Sequence, residues 1–201
     1  MIAVALLLII VSVSYWAVLV YLPLFLTATF GLSTEQSGVM MLAATLPMIF
    51  LPPLAGRLAT QWGWRALFTT GLALIAAGDL VLALGPAWTM AFATVLLGMV
   101  VIATGAALVQ SQLSGAVVTL APPAQAGMAS ALTIVMRQGG FALGIAALGA
   151  ALGDNVAAGS FPPVFGLAAF AAVVGAGVAL LLLARPKHDA VARCRGSRSL
   201  L

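Results

Sequence analysis

Charge is what this sequence has least of. Only 6% of its 201 residues are Asp, Glu, Lys or Arg, against about a quarter in an average soluble domain. Histidine and cysteine occur once each, as His188 and Cys194, both in a polar terminal stretch. One cysteine excludes an intrachain disulfide. One histidine in such a stretch excludes a histidine-based metal site or a Ser-His-Asp triad. No Gly-x-x-x-x-Gly-Lys occurs, so the phosphate-cradling loop of an ATPase is missing. Two Ala-x-Gly-Asp runs, ending at Asp79 and Asp154, bear a faint resemblance to intramembrane aspartyl proteases, but Asp154 falls in a break between apolar runs and leaves no buried dyad. The strict apolar–polar alternation of a membrane β-barrel is absent too. The sequence therefore predicts no enzyme, no cofactor and no metal.

What the sequence does contain is apolar surface. Hydrophobic residues make up 64% of it, with a mean hydropathy of +1.22. One water-soluble core of this size cannot hide that much apolar surface, so the lipid bilayer is its solvent. A spanning helix needs roughly 20 apolar residues, and six such runs are predicted: Ala3 to Leu26, Ser37 to Gly56, Ala66 to Leu84, Ala87 to Gln110, Ala126 to Leu152, and Pro163 to Ala184. Turn chemistry separates them at Thr29-Phe30-Gly31-Leu32-Ser33, Gly85-Pro86, Pro122-Pro123 and Phe161-Pro162-Pro163. The first run is too long for a signal peptide and has no basic start. The fold class expected is an all-α integral membrane bundle of six helices over residues 1–184. A basic cytoplasmic tail over 185–201, expected to be disordered, would follow it.

The basic residues orient that bundle. Arg57 and Arg65 flank the second connection, and Arg185, Lys187, Arg193, Arg195 and Arg198 follow the sixth run. With alternating helices these seven share one side, while Glu35 and Asp154 lie on the other. Positive-inside placement puts both termini in the cytoplasm of a multi-pass protein of the cell (plasma or inner) membrane. Trp62, Trp64 and Trp88 near helix ends fit an interfacial belt. The net charge of +4 is gathered in the tail rather than in a stripe, so nucleic acid is not an expected partner.

Two stretches carry a resemblance. Gly56-Arg57-Leu58-Ala59-Thr60-Gln61-Trp62-Gly63-Trp64-Arg65 resembles the short cytoplasmic loop of the major facilitator superfamily, with Gly56, Leu58, Ala59, Gly63 and Arg65 matching and Thr60 and Gln61 standing where Asp and Arg are usual. Gly127-Met128-Ala129-Ser130-Ala131-Leu132, followed by Arg137-Gln138-Gly139-Gly140 and Gly144, resembles the penultimate helix of its fourteen-span drug:proton antiporters. Tyr21 to Leu26, Gly31-Leu32-Ser33 and Gly38 fit the first two helices of the C-terminal half. The resemblance reaches to about Ala184. It implies one six-helix half of a transporter, built as a 3+3 inverted repeat, with the substrate site between the two halves. It also implies that the first, second, fourth and fifth helices line the cavity and that the third and sixth are peripheral. Gly56, Arg57, Gly63 and Arg65 would form the conformational loop.

Arg137 is the main candidate for chemistry. It lies about 11 residues into its run, roughly 16 Å deep at ~1.5 Å per residue, where a charge is costly and usually functional. Ser130, Thr133, Gly140 and Gly144 share its face, and the glycines permit close helix packing. The alternative role for Arg137 is holding neighbouring carbonyls. It cannot carry a proton, because Arg stays protonated. Asp79 is the natural proton carrier, unless it merely reaches the outer interface. Ser12, Tyr15, Trp16 and Pro23 lie on one face of the first run, and Ser14 and Tyr21 on the other. An aromatic, weakly polar wall of this kind suits bulky amphiphiles, and also suits plain helix packing. Thr104, Ser111 and Ser114 recur on one face of the fourth run, and Gln110 and Gln112 near its end face a vestibule or snorkel. Pro47 is expected to kink the second helix.

The leading expectation is the C-terminal half of a proton-coupled exporter of small amphiphilic compounds or drugs. Its partners would be the lipid bilayer, an N-terminal six-helix half or a second copy, a small-molecule substrate, and protons. The alternative is a transport-incompetent fragment or small membrane protein that acts only by assembling with another membrane subunit.

Overall fold

The computed structural model describes residues 2–85, 92–120, 122, 125–153 and 156–182. All regular structure among them is helical. α1 is one continuous rod made of Ile2–Val11, a π-helical turn Ser12–Trp16, and Ala17–Phe30. It is followed by α2 (Thr34–Phe50), α3 (Pro52–Leu84), α4 (Phe92–Leu120), α5 (Ala126–Leu152) and α6 (Pro162–Leu182), with a short 3-10 turn Ala158–Ser160 before α6.

Local sequence explains each boundary. α1 ends where Gly31 takes a left-handed conformation (φ 64) and donates to the Thr27 carbonyl, a C-cap that glycine adopts without steric cost. Thr29 and Phe30, expected in the turn, are thus helical, and the turn shrinks to Gly31–Ser33. Ser33 then caps α2 through a reciprocal capping box with Gln36. α2 breaks at Leu51 because Pro52 and Pro53 have no N–H to offer the carbonyls one turn back. Helical bonds resume across the break, from Leu51 N–H to Pro47 O and from Ala55 N–H to Leu51 O. The bend therefore falls just beyond Pro47. The stretch read from sequence as a loop around Gly56 to Arg65 is instead helical. Its only interruption is Gly63 (φ 79, ψ 159), so the connection is one residue long.

Among the described residues, five helices are long and apolar enough to cross a membrane: α1, α3, α4, α5 and α6. α2 alone, at 17 residues, is too short. It runs on through the opening of α3 as far as Gly63, and residues 64–84 form the next crossing, so the described residues make six apolar rods. The fourth rod runs ten residues past Gln110, to Leu120. Ala87, Trp88, Pro123, Asp154 and the basic tail with His188 and Cys194 lie outside the described residues.

The core is a seam of small residues. On α3, Gly71 and Gly78 face Gly105 and Gly98 of α4 so closely that an added Cβ would stand 2.9 Å or less from backbone atoms of α4. α6 closes the other side of α3, with Gly175 against Leu72 of α3 and Ile10 of α1. α5 lies parallel to α1: Gly140 packs on Ile9 and Ser12, and Gly144 on Val13 and Ala17. With no hydrophobic drive between helices in lipid, this close backbone approach is what holds them together. The helix-one end of the bundle adds an aromatic cluster, with Phe25 edge-on to Phe161 and Phe165 at 5.3 and 5.1 Å.

Candidate functional site

The polar side chains of α1 divide into two kinds. Ser12 and Ser14 are buried and satisfy themselves, donating to Leu8 O and Ile10 O at 2.8 and 2.9 Å. Tyr15 and Tyr21 reach other helices. Tyr15 is fully buried, and its hydroxyl lies 2.8 Å from Met48 Sδ and 3.3 Å from Ala44 O, both on α2. Tyr21 donates to Ile145 O of α5 at 2.7 Å. The π-helical turn Ser12–Trp16, which holds Tyr15, adds a residue to the helix and re-aims everything beyond it, Tyr21 included. Trp16, half-buried, stacks edge-on to Tyr15 at 5.5 Å, and its indole nitrogen is buried without a hydrogen-bond partner. Pro23 lines a groove between α1 and α2. The structure thus separates Tyr15, against α2, from Tyr21, against α5. No sequence pattern marks Met48 or the Ile145 carbonyl as their partners.

Arg137 stands half-buried on α5. Thr133, Gly140 and Gly144 share its buried face, and Ser130 is exposed. The face is therefore largely a packing surface against α1. Just below it, Ala5 and Leu8 of α1, Val117 of α4, and Ala129, Leu132 and Met136 of α5 line a half-open pocket of about 160 Å³ in which Thr133 is the polar residue.

Asp79 is not at an interface with solvent. It is 0% exposed, and neither carboxylate oxygen has a hydrogen-bond partner, so it makes no hydrogen bond to Arg137. The reason is topological: α3 is covered by α4 on the Gly71–Gly78 side and by α6 on the Leu72 side. Asp79 is one helical repeat from Leu72 and shares its face.

The remaining candidates sit at the other end of the bundle. Gln112 lies against Gly56, 3.7 Å from where a Cβ would stand, which ties α4 to the segment before the Gly63 break. Arg57, Arg65 and Trp62 are exposed there, and Trp64 is half-buried. Thr104 and Ser111 donate to Val100 O and Ala107 O of their own helix. α2 and α5 carry broad exposed faces, with Val39, Leu42, Leu46 and Ile49 on one and Leu132, Val135 and Leu143 on the other.

Comparison with known proteins places this geometry. Over 138 residues the chain is 30% identical to the multidrug resistance protein Stp of Mycobacterium tuberculosis, in strain CDC 1551 / Oshkosh and equally in strain ATCC 25618 / H37Rv. That alignment covers 66% of this chain and 25% of each relative, so the chain spans about a quarter of their length. The family model for the Major Facilitator Superfamily matches residues 4–193. A bundle whose described residues form apolar helical rods held by glycine seams, and which that model matches over residues 4–193, is a multi-pass membrane protein of a transporter family: the chain belongs to the Major Facilitator Superfamily.

Proposed function

We propose that this chain is the C-terminal half of a proton-coupled exporter of small amphiphilic compounds. It would work by rocking against an N-terminal six-helix half, or a second copy, around a site at mid-membrane. The observation that carries this reading is the similarity to a multidrug resistance protein over 138 residues, 66% of the chain. The lining chemistry supports it. Trp16 keeps an unpartnered indole N–H in an otherwise apolar setting, which suits substrates bound by stacking and desolvation with a single polar contact. Asp79, buried within the spans, is the proposed proton carrier, and Arg137 the fixed charge that shapes the path. Gly56, Arg57, Gly63 and Arg65 form the element that bends as the half rocks. Both termini face the cytoplasm of the cell membrane in this reading.

The test is reconstitution. Purified chain alone in liposomes should give no saturable flux of an amphiphilic dye, because a site between two bundles needs both. Co-reconstitution with an N-terminal half should give flux driven by a pH gradient and abolished by a protonophore. Saturable flux from a demonstrated homodimer would replace the N-terminal half with a second copy. Flux in the complete pair that ignored the pH gradient would sink proton coupling.

A further inference from the structure

The opening of α3, from Pro52 to the Gly63 break, turns two different faces to its surroundings. Ala55 and Ala59 are buried and form a small apolar cluster with Leu67 of α3 and Leu108 of α4, separate from the main core. That contact fixes which side of the segment looks outward. Leu54, Arg57 and Gln61 share the opposite face at helical spacing, and all three are exposed, Leu54 by 50%. Trp62, 57% exposed, and Arg65 stand exposed on either side of Gly63.

Neither guanidinium has a carboxylate to pair with. The acids among the described residues are Glu35 and Asp79. Glu35 lies toward the far end of the rod that carries Arg57, roughly 33 Å along it at ~1.5 Å per residue, well beyond the ~8 Å over which exposed charges act. Asp79 is fully buried and lies roughly 21 Å along its helix from Arg65. Thr60 is exposed one turn from Arg57, but its hydroxyl donates to the Arg57 carbonyl. Two exposed cations at one end of the bundle therefore call for an anion from outside the described residues, and the planar guanidinium fork matches phosphate oxygens in pairs.

The apolar flank decides the source of that phosphate. Leu54 and Trp62 bracket Arg57 along the segment, an aliphatic side chain on one side and an indole on the other, both half in the open. A phosphate dissolved in water makes no use of either. A phospholipid uses both, with an acyl chain along Leu54 and the indole at headgroup level, where Trp is favoured. Charge decides among lipids. A zwitterionic headgroup brings its own cation beside the phosphate, which unpaired arginines repel, and an anionic headgroup does not. We propose that the exposed surface around the Gly63 break binds an anionic phospholipid, its phosphate diester held by Arg57 and Arg65. This binding stands independently of the transport reading, since it needs neither a second half nor a proton gradient.

The experiment is photolabelling of the full chain in phosphatidylcholine nanodiscs. They contain a small mole fraction of phosphatidylglycerol with a diazirine near the head of its acyl chain, and peptide mass spectrometry follows photolysis. Labelling of Leu54–Arg65 should saturate with mole fraction. Unlabelled phosphatidylglycerol should suppress it, and glycerol 3-phosphate in the buffer should not. The same diazirine on phosphatidylcholine should label that stretch without saturating. Each base near an anionic membrane surface is worth about five-fold in affinity, so Arg57→Gln combined with Arg65→Gln should raise the half-saturating mole fraction about 25-fold. Thr60→Glu, which sets a carboxylate one turn from Arg57, should raise it as well, and Thr60→Gln should leave it unchanged. All these positions are exposed, so the variants disturb no packing. Equal saturation by the two headgroups on the native chain would overturn the proposal. So would an unchanged half-saturating fraction in the double glutamine variant, because the lipid would then be held by the five bases after residue 184. Suppression by glycerol 3-phosphate would assign the surface to a soluble phosphate and overturn the lipid.

Discussion

Gly105 offers the sharpest test of what holds the bundle together. A Cβ there would stand 2.9 Å from the backbone nitrogen of Ile75 and closer still to the Gly71 carbonyl oxygen. Neither atom can turn aside, because both belong to the α3 backbone. Restoring ordinary carbon contacts of about 3.5–4.0 Å requires α3 and α4 to part by about 1 Å, which forfeits a quarter to a half of the attraction along the seam. Overpacking of this kind costs about 1–3 kcal/mol. For a chain near 200 residues that corresponds to a fall in melting temperature of about 2–12 °C. Gly177 is the control, since a Cβ there meets nothing within 4 Å. Removing a glycine from an unobstructed helix position stabilises by about 0.5–1 kcal/mol, so Gly177→Ala should melt at or slightly above the native protein. The assay is heating in detergent followed by fluorescence-detected size exclusion. If Gly105→Ala melts with or above the native chain, the close seam is not what stabilises the pair.

Four further outcomes are expected. Tyr21→Phe should cost about 0.6 kcal/mol, the average interhelical hydrogen bond in membrane, seen as a small fall in the same melting assay; no fall would mean that the bond to Ile145 is not held in the bilayer. In a reassembled transporter, Arg137→Ala should abolish flux per folded molecule and Arg137→Lys restore part of it, since Lys keeps the charge without the planar fork; normal flux in the alanine variant would remove Arg137 from the path. Asp79→Asn, isosteric and uncharged, should fold at native levels yet lose pH-driven flux in the same system, and unchanged pH-driven flux would end its role as proton carrier. Reporter fusions after Gly63 and His188 should report one side of the membrane and fusions after Ser37 and Ser160 the other; a split between Gly63 and His188 would refute the span count.

Much of this fold was legible in the sequence because its signals are local. Apolar runs and the turn at Gly31 act within a few residues and are legible as such, whereas the Ser33–Gln36 box and the Pro52-Pro53 break, equally local, stay hidden when the second run is carried from Ser37 straight through to Gly56. The π-helical turn was not legible: one inserted residue between Ser12 and Trp16 changes geometry without changing composition. Asp79 shows a second limit. In a water-soluble protein a two-sided buried helix stands out by its apolarity, but every helix of this chain is apolar, so nothing in the run around Asp79 reveals that α4 and α6 cover both sides of it. For Arg137 the close-packing glycines Gly140 and Gly144 were readable, while their partner, α1, lies more than a hundred residues away.

The two tyrosines of α1 also set an order of events during synthesis. Ser12 and Ser14 are bonded within their own helix, so α1 can enter lipid with those groups already satisfied. Tyr15 must wait for an acceptor 29 residues later, and Tyr21 for one 124 residues later. α1 therefore carries a hydroxyl whose partner, the Ile145 carbonyl, is not made until α5 has been threaded. Until α5 arrives that hydroxyl bonds elsewhere, and the growing chain must keep the flank of α1 open to receive it.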